Sequence, residues 1–145
     1  MTCSADLPAD DTVLEPDLQH EDVPAEAAQL GRLRDQLAGW AAGTGLPAGR
    51  VQDLLLAAYE AMANVVVHAY PGCIGTFTLH ARQSSDSVIV TIRDHGQWHP
   101  LPRSGLLGGR GLPLIHTLAD QALVETSAAG TTVTMTWTYD DRQPR

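Results

Sequence analysis

A chain of 145 residues with a net charge of −8 and 43% hydrophobic residues is long enough to bury one substantial core. Its acidity argues against a nucleic-acid or anionic-membrane surface, which needs clustered Lys and Arg. No apolar run approaches the ~18 residues of a membrane span, the N-terminal MTCSADLPADD lacks a basic-then-apolar signal, and Cys3 and Cys73 alone make neither a disulfide framework nor a zinc spacing, so a single cytoplasmic domain is the expected form.

Residues 1–23 are acidic, Pro-dotted and poor in large apolar side chains, which predicts a flexible tail, with Asp17 to His20 as the possible start of an edge strand. Pro24 opens a helical pattern through Ala27, Leu30, Leu33, Leu37 and Trp40 that stops at Ala42-Gly43. After the connector GTGLPAGR, residues 51–70 (VQDLLLAAYEAMANVVVHAY) form an unbroken helical run ended by Pro71-Gly72. Wound at about 100° per residue, the run puts Val51, Leu54, Leu55, Ala58, Met62, Val65, Val66 and Ala69 on a core face. Asp53, Ala57, Glu60, Asn64 and His68 fall within an arc of about 80° on the other side. Leu56, Tyr59, Ala63 and Val67 flank that arc, so the helix is apolar nearly all round, the mark of a buried helix.

Residues 75–82 (GTFTLHAR) and 87–93 (SVIVTIR) alternate as the strands of a hairpin. The stretch 94–110, DHGQWHPLPRSGLLGGR, is longer than a plain connector needs to be, which marks it as functional. GLPLIHTLAD, residues 111–120, reads as a short helix whose Pro113 must lie in the first turn. Residues 121–127 and 131–139 read as two strands joined at Ala129-Gly130, and residues 140–145 as a frayed C-terminal tail. With no internal repeat, residues 24–139 are the expected folded unit.

Three pieces stand in order: Glu60-x-x-x-Asn64 on the buried helix, Asp94-x-Gly96 ending a strand, and Gly108-Gly109-Arg110-Gly111 before Leu112 opening a helix. An unpartnered carboxylate on a buried stripe is costly, so Glu60 with Asn64 points to use rather than decoration. Asn64 can offer an amide oxygen to Mg²⁺, which takes few protein ligands and fills the rest of its shell from phosphates and water. Glu60, one turn earlier, is placed to act as a general base. Asp94 at a strand end can accept a hydrogen bond from an exocyclic amine, and Gly96 lets a flat ring approach the backbone. The glycines before Leu112 leave N–H groups free at a helix N-terminus, a ready phosphate site.

In this order the pieces resemble the anti-sigma factor serine kinases, small members of the Bergerat-fold, histidine-kinase-like ATPase superfamily. The matching stretches are LLLAAYEAMANVVVHAY, VTIRDHGQW, GGRGLPLI with LAD after it, and GTTVTMTW, and the resemblance covers about residues 24–139. It implies an α/β two-layer sandwich, with helices on one face of a mixed, mainly antiparallel sheet and ATP with Mg²⁺ held between the helices and a lid. It further implies Glu60 as general base, Asn64 as Mg²⁺ ligand, Asp94 as the adenine-reading carboxylate with Gly96 beside the ring, Gly109 and Gly111 as phosphate-side glycines, and Thr131 as the threonine near the base. His68 matches the histidine of the family's HAY segment, where a satisfied histidine at a helix end is the plainer reading. The implied partners are an anti-anti-sigma factor of the STAS type, phosphorylated on serine, a sequestered sigma factor, and a second copy in a homodimer.

The chain departs from the superfamily pattern at Trp98, where many members carry a second glycine, and its lid is short, with Pro100 and Pro102. Arg103 and Arg110 are the cations near the phosphate end. Two other readings stay open: a binding module that keeps the fold without transferring phosphate, and the detached ATPase domain of a histidine kinase. The latter needs a phosphoacceptor helix pair, and only His20 precedes the central helix. A metal hydrolase fits less well, since His95 and His99 share a loop with no HExxH-type helix.

Overall fold

The computed structural model describes residues 14–96 and 111–139. Its elements run β1 (Leu18–Pro24), α1 (Ala27–Ala42), α2 (Ala48–Asn64), a wide π-helical turn (Val65–Ala69), β2 (Thr76–Gln83), β3 (Ser87–Asp94), α3 (Gly111–Leu118), β4 (Gln121–Ser127) and β5 (Gly130–Thr138). The strands form one five-stranded sheet in the order β1-β2-β3-β5-β4. Helices pack on one side of it, giving the two-layer sandwich expected from the sequence. Each pairing is antiparallel, with no parallel pair among the described residues.

Alternation decides which side of the sheet is covered. Phe77, Leu79 and Ala81 on β2, Val88, Val90 and Ile92 on β3, and Val133, Met135 and Trp137 on β5 are each 1% exposed or less. Fully burying side chains of this size contributes roughly 1.5–3 kcal/mol apiece. The other face of the same strands carries Thr78, Thr91, Thr132, Thr134 and Thr136, which are half-buried and suit a solvated pleated surface. Against the apolar face lie Leu30, Leu33, Leu37 and Trp40 of α1 and Leu54, Leu55, Ala58 and Met62 of α2, all buried. The indole N–H of Trp137 donates to the Leu118 carbonyl at 3.0 Å, and that of Trp40 to the Pro16 carbonyl at 2.7 Å, so neither ring buries an unpaired donor.

Two expectations change at the N-terminal end. Residues 18–23, placed in the expected tail apart from the edge-strand possibility at Asp17 to His20, belong to β1 and pair with β2. Their pattern is disguised by a register shift between His20 and Val23, where Asp22 takes a positive φ of 55°; the extra residue breaks the period-two alternation. Pro24 closes this edge strand instead of opening α1, a place where its missing N–H costs no ladder bond. Residues 1–13, the expected lid from Gln97 to Arg110, and residues 140–145 lie outside the described residues.

The start of α2 is tied to the chain just after α3. The Arg50 guanidinium pairs with the carboxylate of Asp120, in the connector between α3 and β4. The same carboxylate accepts the Thr138 N–H at 2.7 Å and the Thr138 hydroxyl at 3.1 Å. Burial pushes the Asp120 carboxyl up, but the Thr138 donors and Arg50 together outweigh it and hold the group below its ordinary value. A carboxyl with a depressed folded-state pKa adds stability that is fully present above the unfolded value of about 4 and fades as pH falls through the folded one. Asp120→Asn is therefore expected to lower stability by about 1 kcal/mol at pH 7, a charge-assisted bond discounted for the pair's partial exposure. Urea unfolding should show that gap closing towards pH 3; an unchanged gap there would mean that the charge of Asp120 does not matter.

Candidate functional site

Asp94 is the last residue of β3, and alternation from Val88, Val90 and Ile92 turns its side chain towards the helices. It is 1% exposed. A carboxylate buried so fully needs donors, and the backbone supplies them: Oδ1 accepts the Gly96 N–H at 2.9 Å and the Thr131 N–H at 3.3 Å. The first bond folds residues 94–96 into a turn closed by the Asp side chain. The second follows from register, since Asp94 lies opposite Thr131 in the β3–β5 ladder. Thr131 is itself 2% exposed, and its hydroxyl finds no partner among the described residues.

Two glycines let the backbone close around this carboxylate. A Cβ at Gly96 would stand 2.0 Å from the Ala69 carbonyl oxygen, and one at Gly130 would stand 2.0 Å from the Asp94 carbonyl oxygen. Gly130 also has a φ of +136°, open to glycine and strained for other residues. The requirement for glycine at 96 thus has a cause within the protein, separate from any ring laid against it: the end of the central helix comes down onto the strand exit.

That approach depends on how the central helix ends. Its α-helical part stops at Asn64, and residues 65–69 form the wide turn where the sequence predicts a continuous helix. Three successive β-branched residues, Val65 to Val67, crowd a regular helical turn, and such wide turns are frequent at functional sites. Asn64 at the junction is 6% exposed, with its amide nitrogen unpartnered among the described residues. A half-turn of the amide exchanges donor and acceptor, so either end can serve a ligand at that point. Glu60, one turn earlier, is half-buried. His68, within the wide turn, is also half-buried, and burial pushes its pKa below the ordinary value, in keeping with a neutral ring.

Sequence reasoning did not single out Tyr70. Its ring fills the space in front of Gly75 and Gly96, where a Cβ would fall 2.2 Å and 2.9 Å from the ring carbon Cε1. Its hydroxyl donates to the Thr76 carbonyl at 2.6 Å and accepts the His95 N–H at 2.9 Å. The only sequence signal was an aromatic residue closing the helix, and its partners lie up to 25 positions away.

Gly111 and Leu112 open α3, which packs along α2 and anchors there through the fully buried Ile115. Gly108, Gly109, Arg110 and Arg103 fall outside the described residues. The structure thus brings Asp94, Gly96 and Thr131 into one hydrogen-bonded unit and sets it against the end of the helix that carries Glu60 and Asn64. The buried, unpartnered amide nitrogen of Asn64 and hydroxyl of Thr131 suit a polar ligand.

Comparison with known proteins points the same way. The pattern of the histidine kinase-like ATPase domain matches residues 23–137. A serine-protein kinase, RsbW, from Bacillus cereus (strain AH187) is 29% identical, over 79% of this chain and 80% of that protein. A solved structure of RsbU and RsbW domains from Mycobacterium tuberculosis superposes with a TM-score of 0.70 at 26% identity, over 84% of this chain but only 32% of that one. The histidine kinase domain of a blue-light activated kinase from Erythrobacter litoralis shares the fold, with a TM-score of 0.53 at 21% identity over 79% of this chain and 61% of that one. The chain belongs to the histidine kinase-like ATPase domain family and resembles, within it, the anti-sigma factor serine kinases.

Proposed function

We propose that this chain is an ATP-dependent serine kinase and anti-sigma factor of the cytoplasm, which phosphorylates a STAS-type anti-anti-sigma partner and sequesters a sigma factor. The observation that carries this reading is the buried Asp94 unit docked on the helix of Glu60 and Asn64, with unpartnered polar atoms at Asn64 and Thr131. The kinase relative from Bacillus cereus, matched over most of both chains, supports the choice of serine as acceptor. A homodimer is part of the proposal.

Each residue has a task in this reading. Asp94 accepts the exocyclic amine of adenine, with Gly96 and Thr131 fixing the carboxylate and bordering the ring. Asn64 would offer its amide oxygen to Mg²⁺, and Gly108, Gly109, Arg110, Gly111 and Leu112 would supply N–H groups to the phosphates. When bound, the metal ion would supply positive charge to offset that of the phosphates. Glu60, one helical turn from Asn64, accepts the proton of the attacking serine hydroxyl. In phosphoryl transfer the protein mainly positions groups and stabilises charge, with one residue taking that proton. The absence of a base is therefore expected to slow transfer without loosening the nucleotide.

Two variants separate these tasks. Asp94→Ala leaves the adenine amine unpaired, a loss of about 1–3 kcal/mol, or roughly 5- to 150-fold in ATP affinity. Calorimetry should show that loss, with GTP bound poorly by the unmodified protein; equal ATP affinities would remove adenine from Asp94. Glu60→Ala should bind Mg-ATP about as well as the unmodified protein and still hold its protein partner, while serine phosphorylation falls by ~10²–10⁴-fold, the usual worth of general-base assistance. Phosphorylation by the unmodified protein is the baseline. If it phosphorylates no anti-anti-sigma partner, the chain is a non-catalytic binding module instead.

A further inference from the structure

Tyr70 ties together the two halves of the site without belonging to either. Six residues before it lies Asn64, and its hydroxyl accepts the N–H of His95 at 2.9 Å, between Asp94 and Gly96. The next N–H along, that of Gly96, goes to Oδ1 of Asp94 at 2.9 Å. Two successive N–H groups just beyond the strand are thus held, one by the carboxylate and the other by the end of the central helix. The hydroxyl's own proton goes to the Thr76 carbonyl at 2.6 Å, so the oxygen both donates and accepts and has one settled orientation. The ring is wedged where Gly75 and Gly96 lack side chains, and the Ala69 carbonyl, one residue earlier, presses on Gly96 from the same helix end.

Resting on the nucleotide reading given above, we propose that Tyr70 is a positioning residue for base recognition: it fixes the Asp94–Gly96 turn to the end of the central helix, and so sets the separation between the base-reading carboxylate and the metal-side amide of Asn64. Its contact with the ligand is indirect. Loss of the hydroxyl frees the His95 N–H and lets the turn that aims Asp94 drift relative to Asn64. The defect should appear in recognition of the base, and less in grip on the phosphates.

Tyr70→Phe tests this, because it keeps the wedged ring and removes only the hydroxyl. Calorimetry on the full chain with Mg-ATP, Mg-GTP and Mg-tripolyphosphate separates the base from the phosphates. The variant should lose about 5- to 30-fold in ATP affinity, show a narrower ATP-over-GTP preference, and hold tripolyphosphate as the unmodified protein does. Amide exchange at His95 should quicken while the buried strands stay protected, and a thermal melt checks that the variant is folded. An unchanged ATP affinity and ATP-over-GTP preference would overturn the proposal. So would equal losses for ATP and tripolyphosphate, which would reduce Tyr70 to a general structural role. Asp94→Ala is run alongside. If it too keeps unmodified ATP affinity, the base-reading site is misassigned and the Tyr70 role falls with it; if it alone loses affinity, only the Tyr70 role fails.

Discussion

A carboxylate with 1% of its surface exposed governs how this molecule is assembled. Asp94 can be buried because backbone N–H groups reach it, one from the turn at Gly96 and one from its ladder partner Thr131. Gly130 swings the start of β5 against the strand end, and Gly96 lets the Ala69 carbonyl descend onto the turn. Each approach would be blocked by a single Cβ. The sheet register and the turn at residues 94–96 thus solvate a buried carboxylate with N–H dipoles instead of water, and the two glycines let the neighbouring backbone close around it.

The arrangement also explains how a chain with a net charge of −8 can suit an anionic ligand. Long-range attraction is absent, but at physiological salt the field of exposed carboxylates is largely screened beyond about 8 Å. In the proposed reading, recognition rests on short-range groups: N–H donors at a helix start, an amide at Asn64, and a carboxylate that selects a neutral base edge.

Much of this was legible in the sequence because the core is patterned simply. Leu54, Leu55, Ala58 and Met62 mark the buried face of α2 by helical spacing, and Phe77, Leu79 and Ala81 mark the covered face of β2 by alternation. Asp94 and Gly96 were picked out from their order along the chain and Thr131 from the family resemblance, and the structure joins the three by hydrogen bonds. What stayed hidden was non-local or irregular. The bulge at Asp22 masked β1, since period-two reasoning fails where one residue is added. The wide turn after Asn64 left no Gly or Pro to announce it, and the role of Tyr70 depends on Thr76 and His95, partners that only the folded sheet brings near. The glycine at 96 was noticed for the right position and for a different reason, because the Ala69 carbonyl that requires it lies 27 residues earlier.

In the proposed reading the buried carboxylate reads a base while the helix end holds its metal ion. A crystal structure of the full chain with Mg²⁺ and a non-hydrolysable ATP analogue tests it most directly. The exocyclic amine of adenine should lie within hydrogen-bond distance of the Asp94 carboxylate, about 2.7–3.2 Å, and the metal ion on the Asn64 side-chain oxygen at about 2.0–2.1 Å. A nucleotide bound with its base elsewhere, or with its metal ion held away from Asn64, would contradict it.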